Sequence, residues 1–309
     1  MKRLGALVIA VALVVGAVLI RRAIDDPGKG GTTGSSSGGS ASLVCAPEVA
    51  DACSGLADTR VTVEDPGVTA ARLQSGGKLG ADGWLVSDPW PALAGRTRTS
   101  ATLASSPIVA VMRPERATRL AAACNGPVAW RCIGERAGQQ WSTFGGDPTW
   151  GEFKVGHDGP DTTDGLLSLV AAADGWFGNS TYASNDFDDD AFRTWLTRLE
   201  RSVRDSAPTT AIAPIDQFAA TPAAYSVVTA LEASVPTAAT SPSFRILRLE
   251  PLVRADVVLV GDAGLFDLEA IRTRLSTTGW TRASTATTSG LPNTGVMVAL
   301  RTLQASLTK

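Results

Sequence analysis

Residues 153–169 read Phe-Lys-Val-Gly-His-Asp-Gly-Pro-Asp-Thr-Thr-Asp-Gly-Leu-Leu-Ser-Leu. Residues 153–155 have the apolar character of a short strand, and Gly159-Pro160 punctuates it. Thr163 and Asp164 then stand before an apolar run, and their short side-chain oxygens suit the N-cap of a helix. The run over 164–177 is apolar on most of its circumference, which predicts a helix buried among other elements. A strand, a polar loop and a buried helix in immediate succession form half of a βαβ unit.

The same alternation extends to both sides. Residues 60–64, 84–86 and 107–112 read as strands, and 68–75 and 115–124 as helices. Ser87-Asp88-Pro89 ends the second of those strands. Downstream, 189–204 is amphipathic, with Phe192, Trp195, Leu196, Leu199 and Val203 on one face. Residues 222–234 read as a helix with Pro in its first turn, and 265–277 as a helix stopped by Gly279. Residues 244–249, 256–260 and 295–300 read as strands. Strands separated by helices of this length predict an α/β fold with mixed, mostly parallel sheets flanked by helices. No internal repeat of fixed period is present.

The first forty residues carry location. Lys2 and Arg3 precede an uncharged run over 4–20, closed by Arg21 and Arg22. At 1.5 Å per residue the run spans about 26 Å, close to the hydrocarbon thickness of a bilayer. It ends without a small-x-small cleavage site and without a Cys directly after it, so 1–24 reads as an uncut single-pass anchor rather than a signal peptide. Residues 25–42 read as a flexible tether, since thirteen of the sixteen residues 27–42 are Gly, Ser or Thr. Cys45, Cys53, Cys124 and Cys132 form two close pairs, each eight residues apart. The spacing suggests Cys45–Cys53 and Cys124–Cys132 among three possible connectivities. Structural disulfides persist in oxidising compartments, so the expectation is a membrane-tethered body on the extracytoplasmic side.

Composition excludes some functions. Hydrophobic residues are 44% and charged residues 19% of the chain, and the net charge is −2. There is no basic excess or stripe of the kind nucleic acid selects, so no nucleic-acid partner is expected. His157 is the single histidine; a His-centred catalytic set or a Cys/His metal site is therefore not expected, and no Gly-x-Ser-x-Gly elbow is present. Neither cofactor nor metal is assigned, and the chain is not read as an enzyme. Leu291-Pro292-Asn293-Thr294-Gly295 has the form of a cell-wall sorting signal but lacks the apolar span that must follow, and reads as a turn into a last strand. The acidic run over 185–190 lacks the Gly and Glu of a calcium loop and reads as a helix start favoured by the dipole.

The order of segments resembles the bacterial extracellular solute-binding proteins of the type II periplasmic-binding-protein fold. The resemblance rests on Ala-Asp-Gly-Trp-Leu-Val-Ser-Asp-Pro-Trp at 81–90, Leu-Ala-Ser-Ser-Pro-Ile-Val-Ala-Val-Met at 103–112, the quoted segment at 153–169 and Leu-Arg-Leu-Glu-Pro at 247–251. It implies two lobes, one from 43–109 and 246–309 and the other from 110–245, with a small-molecule ligand held in the cleft between them. By position, the ligand-binding residues it implies are Ser87, Asp88, Trp90, Ser105, Ser106, Thr162, Thr163, Asp164 and Tyr225. It implies a permease of an ABC-type importer as partner, or alternatively an assembly role beside a von Willebrand A domain protein with no transport function. Asp158, Asp161 and Asp164 crowd the helix start where an oxyanion would sit, which favours a neutral polar or cationic ligand.

Overall fold

The fold is described from a computed structural model covering residues 40–206, 212–282 and 290–307. The expected anchor at 1–24 and most of the expected tether lie outside the described residues. Among the described residues no helix is long and apolar enough to cross a membrane. The tether gives way to structure at β1 (Ala41–Cys45), so Ala41 and Ser42 belong to a strand. Asp82 fixes that start by accepting from both the backbone N–H and the hydroxyl of Ser42.

The elements follow in order. After β1 come β2 (Thr59–Val63), α1 (Pro66–Gln74), β3 (Gly83–Ser87) and β4 (Ala104–Met112). Then come α2 (Pro114–Ala123), α3 (Trp130–Arg136), β5 (Val155–Gly156), α4 (Thr163–Phe177) and α5 (Asp190–Ser206). The chain continues through α6 (Pro214–Ala220), β6 (Val227–Leu231), β7 (Arg245–Leu247) and β8 (Arg254–Gly261). It closes with α7 (Leu268–Thr277), β9 (Thr281–Arg282) and α8 (Thr294–Leu307).

One strand organises the sheets. The hydrogen-bonded order is β2-β1-β3-β8-β4-β6-β5, with β7 and β9 also on β4. The first half of β4 pairs with β8, from Ala104 opposite Val257 to Pro107 opposite Arg254. Its second half pairs with β6, from Ile108 opposite Leu231 to Met112 opposite Val227. Two sheets thus share one strand, which is buried almost throughout and carries the near-continuous apolar run of a strand covered on both faces.

Three expectations need correction. The sheets are mixed but not mostly parallel. Only β1–β2, β1–β3 and β5–β6 pair in parallel, because β8 runs back between β3 and β4 and β4 meets all its partners antiparallel. Residues 222–234 are not a helix. Pro222 lies in a turn, and Val227-Val228-Thr229-Ala230-Leu231 is a fully buried strand; its apolar, β-branched side chains suit a pleated interior better than a helix. Residues 295–300 are not a strand. They lie in α8, whose buried Val296, Met297, Leu300 and Leu303 recur at helical spacing, and the Asn293 side chain accepts from the Val296 N–H at the helix start.

Helices α3, α4 and α5 pack closely around two glycines. A Cβ on Gly134 would sit 2.3 Å from the Trp195 ring, and one on Gly175 would sit 2.4 Å from Trp130. An aromatic cluster of Trp176, Phe177, Tyr182, Phe187, Phe192 and Trp195 fills the space beside them.

Both expected cysteine pairs are bonded. Cys45 at the end of β1 joins Cys53 of a one-turn helix, and Cys124 just beyond α2 joins Cys132 of α3. Each closes a sequence separation of eight, and a loop that short lowers unfolded-state entropy by an amount worth about 2–3 kcal/mol. Replacing either pair by Ala should therefore lower unfolding free energy by about that amount in chemical denaturation. Thiol titration of the denatured, non-reduced wild-type chain should find none; four titratable thiols would contradict the pairing.

Candidate functional site

Ligands of open α/β sheets collect outside the carboxyl ends of the strands. Here the chain segments leaving β1, β2 and β5 converge. β1 ends into the short 3-10 turn Pro47–Val49, which presents Glu48. β2 leads to Asp65 at the start of α1, and β5 leads through His157 and Asp158 to the start of α4.

The start of α4 is tightly folded. Thr162 is its N-cap and accepts from the Gly165 N–H at 3.1 Å. The turn at 158–159 lies so close that a Cβ on Gly165 would sit 1.9 Å from the Gly159 carbonyl oxygen. Glycine at 165 is thus a steric requirement. Thr163, the next residue, is buried and carries the central contact. Its hydroxyl donates to Glu48 Oε1 at 2.5 Å and accepts from the Trp90 indole N–H at 3.0 Å. Ser87 donates to the same Glu48 oxygen at 3.1 Å. A continuous chain of hydrogen bonds therefore runs from Trp90 through Thr163 to Glu48 and back to Ser87. Burial raises the pKa of the Glu48 carboxyl, and the hydroxyl bonds to Thr163 and Ser87 offset part of that rise.

A second contact lies beside it. The Gly67 N–H at the start of α1 donates to the Asp161 carbonyl at 2.9 Å. A Cβ on Gly67 would come within 2.6 Å of that oxygen, so the approach needs glycine. Arg301 of α8 pairs with the Asp161 carboxylate and stands over the Trp90 ring, 5.3 Å from its centroid.

Next to this contact zone a cleft of about 650 Å³ opens. One wall is acidic, built from Glu48, Asp65, Asp158 and Asp164, with Thr162 and Thr163. The lining also includes the apolar stretch Ile212, Ala213, Pro214 and Ile215, followed by Asp216 on α6. No Lys or Arg lines it. Burial first, then the neighbouring Glu48 and Asp158, push the Asp164 pKa up to about 8. Its Oδ1 is buried without a hydrogen-bond partner. Burial also raises Asp158. A wider groove of about 1000 Å³ runs along α5 and carries charges of both signs, Arg193, Arg198 and Arg201 against Asp190 and Asp205.

His157 fastens the loop from behind. Its ring is almost fully buried, with Nδ1 2.7 Å from the Asp158 carbonyl and Nε2 3.1 Å from Glu200 Oε1. Gln304 of α8 donates to the other Glu200 oxygen at 2.8 Å. Both ring nitrogens face oxygens, which suits the doubly protonated ring. Burial alone would lower the His157 pKa, but the Glu200 carboxylate and the hydrogen bonds outweigh it and raise it.

The structure brings some of the expected residues together and separates others. Thr162, Thr163 and Asp164 line the cleft, and Ser87 stands one hydrogen bond behind it. Trp90 is fully buried beneath Thr163, with no face open for stacking. Asp88 is paired with Arg98 at 3.2 Å. Ser105 donates to Asp256 at 2.7 Å, and the Ser106 hydroxyl accepts from the Ala233 N–H at 2.9 Å. Tyr225 is buried against Gly156, its hydroxyl bonded to Gln217 at 2.9 Å. Glu48, Asp65, Asp216 and the 212–215 wall were not anticipated. Glu48 and Asp65 could have been found by asking which residues follow the carboxyl ends of the predicted strands.

No protein-family model matches the chain, and no curated protein matches it. Solved structures do resemble it. A periplasmic thiamin binding protein aligns at a TM-score of 0.54 and 12% identity, covering 91% of this chain and 100% of that one. A putative extracellular solute-binding protein from Bordetella parapertussis aligns at 0.54 and 10%, covering 86% and 97%. The periplasmic binding protein AfuA from Actinobacillus pleuropneumoniae, with fructose-6-phosphate bound, aligns at 0.52 and 10%, covering 86% and 95%. The chain therefore has the fold of the type II periplasmic binding proteins.

Two outcomes test this geometry. Thr163→Val leaves the Trp90 indole N–H without its acceptor and removes a donor from Glu48, and should cost about 2–4 kcal/mol in chemical denaturation. A loss within error of zero would show that the chain of bonds is not formed. The second concerns pH. Asp164 ionises near 4 when unfolded but near 8 when folded. Between those values the folded state holds the extra proton, so this group makes stability fall as pH rises. Asp164→Asn should flatten the stability profile of the free chain over that range; an unchanged slope would contradict the assignment.

Proposed function

We propose that the protein captures a small solute in the cleft at the start of α4, as a membrane-tethered extracytoplasmic binding protein serving an ABC-type importer. The observation that carries this reading is the cleft itself, a concave space with one charged and one apolar wall at the carboxyl ends of the strands. In this reading 43–109 and 246–309 form one lobe and 110–245 the other, with β4 and β8 as the segments between them. The two disulfides fit an extracytoplasmic body, and the apolar segment at 4–20 supplies the anchor. The acidic lining disfavours an oxyanion and favours a neutral polar or cationic solute.

The start of α4 is met by the protein's own carboxyl group, Glu48, which accepts from the Thr163 hydroxyl and also from Ser87 at the end of β3. A carboxylate supplied from within does two things: it satisfies the Thr163 hydroxyl and it makes the site negative. Solute capture then proceeds by the lobes moving about the β4 and β8 crossings and closing around the ligand.

A second reading is favoured by one observation. The Glu48–Thr163–Trp90 chain and the Gly67–Asp161 bond join the turn after β1, the residues after β3 and the start of α1 directly to the loop and start of α4. A body held shut in this way would serve as an interaction or assembly module, with a protein such as one carrying a von Willebrand A domain as partner.

A thermal-shift panel of sugars, amino acids, polyamines, quaternary amines and oxyanions separates the two. A solute present at a hundredfold excess over its Kd adds about 2.7 kcal/mol of stability, a rise of about 5–10 °C for a chain of this size. The capture reading predicts such a rise with a polar or cationic class and none with oxyanions. No rise with any class, from a chain shown to be folded, would overturn it in favour of the module.

A further inference from the structure

The Oδ1 atom of Asp164 is buried and has no hydrogen-bond partner, yet Asp164 stands in the wall of the cleft. Buried acceptors in folded proteins are nearly always met by a donor. A donor carried into the cleft can meet Oδ1. The Ser234 hydroxyl and the backbone of Leu231 also act on this carboxyl.

The surroundings restrict what that donor can belong to. Glu48 reaches the site from the turn after β1, Asp65 from the start of α1, Asp158 from the loop before α4 and Asp216 from α6. The one basic side chain in the lining, His157, is engaged by Glu200 and the Asp158 carbonyl. An anionic solute would meet the carboxyl groups of Glu48, Asp65, Asp158 and Asp216. A bare metal ion lacks its ligand set, since among the described residues no group of three or more His, Cys, Asp or Glu is placed to hold one. Ile212, Pro214 and Ile215 in the lining offer apolar contact to the body of an organic molecule. A quaternary ammonium would supply charge and apolar contact but has no N–H for Oδ1.

We propose that the cleft selects a protonated primary or secondary amine with an apolar body, its N–H donated to Asp164 and its carbon skeleton laid on the 212–215 wall. This rests on the reading of the cleft as a solute site and narrows it. It also carries a consequence for protons. Asp164 holds its proton near neutrality in the free chain because burial, Glu48 and Asp158 all oppose ionisation. An arriving ammonium reverses that balance, the carboxyl ionises, and its proton passes to the buffer. Affinity therefore rises with pH while the amine stays protonated.

The test is isothermal titration of the full chain in mild detergent with three probes of matched skeleton: n-butylammonium, n-butyltrimethylammonium and butyrate. Putrescine and phenethylammonium serve as longer and bulkier amines. The expected result is binding of the N–H-bearing amines at least roughly tenfold tighter than the quaternary probe. Butyrate should not bind. Affinity should increase from about pH 6 to about pH 9, with proton release read from buffers of different ionisation heat. Asp164→Asn, checked as folded by its melting transition, should lose roughly tenfold or more for the amines and lose the proton release. Equal binding of the quaternary probe, or undiminished amine binding by Asp164→Asn, would overturn this inference while leaving the cleft a solute site. Binding only of sugars or other neutral solutes would do the same. Absence of binding by every class would overturn both this inference and the capture reading.

Discussion

A single carboxylate, Glu48, holds the centre of this molecule. It accepts from Thr163 and Ser87, and Thr163 in turn accepts from the buried indole of Trp90. A partly buried carboxylate is costly unless donors surround it. The turn after β1, the end of β3 and the start of α4 must therefore meet at one point. Once they do, Thr162 caps the Gly165 N–H of α4, Glu48 takes the Thr163 hydroxyl, and carboxyl groups gather in the lining of the space beside it. The same contact forces the glycines at 67 and 165, where any side chain would strike a backbone carbonyl.

The sheets deliver those three segments to one place. β4 is shared between two sheets, and β8 lies antiparallel between β3 and β4. The chain crosses from one sheet to the other along β4 and returns before β8. Helix α8 packs on α4 and α5 and reaches Trp90 through Arg301.

Much of this was legible in the sequence, and the exceptions have physical causes. The apolar runs of β3, β4, β8 and α4 and the amphipathic face of α5 announce themselves by period, and both disulfides follow from cysteine spacing. Residues 222–234 read as a helix and 295–300 as a strand because an apolar stretch bounded by Pro or Gly does not declare its period; burial on both sides decides the strand at 227–231, and an Asn293 cap with helical spacing decides the helix at 294–307. In the site, Thr162, Thr163 and Asp164 follow from the resemblance by position; the capping pattern points to Thr163 or Asp164 as the N-cap, whereas the cap is Thr162. Ser105, Ser106 and Tyr225 sit at matching places in the chain, but their polar atoms turn inward to Asp256, Ala233 and Gln217. Glu48 was missed because its role comes from partners 39 and 115 residues away, a separation no local pattern carries.

The account stands most directly on where a ligand sits. A crystal structure of the chain grown with phenethylammonium at alkaline pH should show the ligand between Asp164 and the 212–215 wall, its nitrogen within hydrogen-bond distance of Asp164 Oδ1, and Glu48 still bonded to Thr163. Ligand density in the groove along α5, or a cleft left empty at saturating amine, would contradict it.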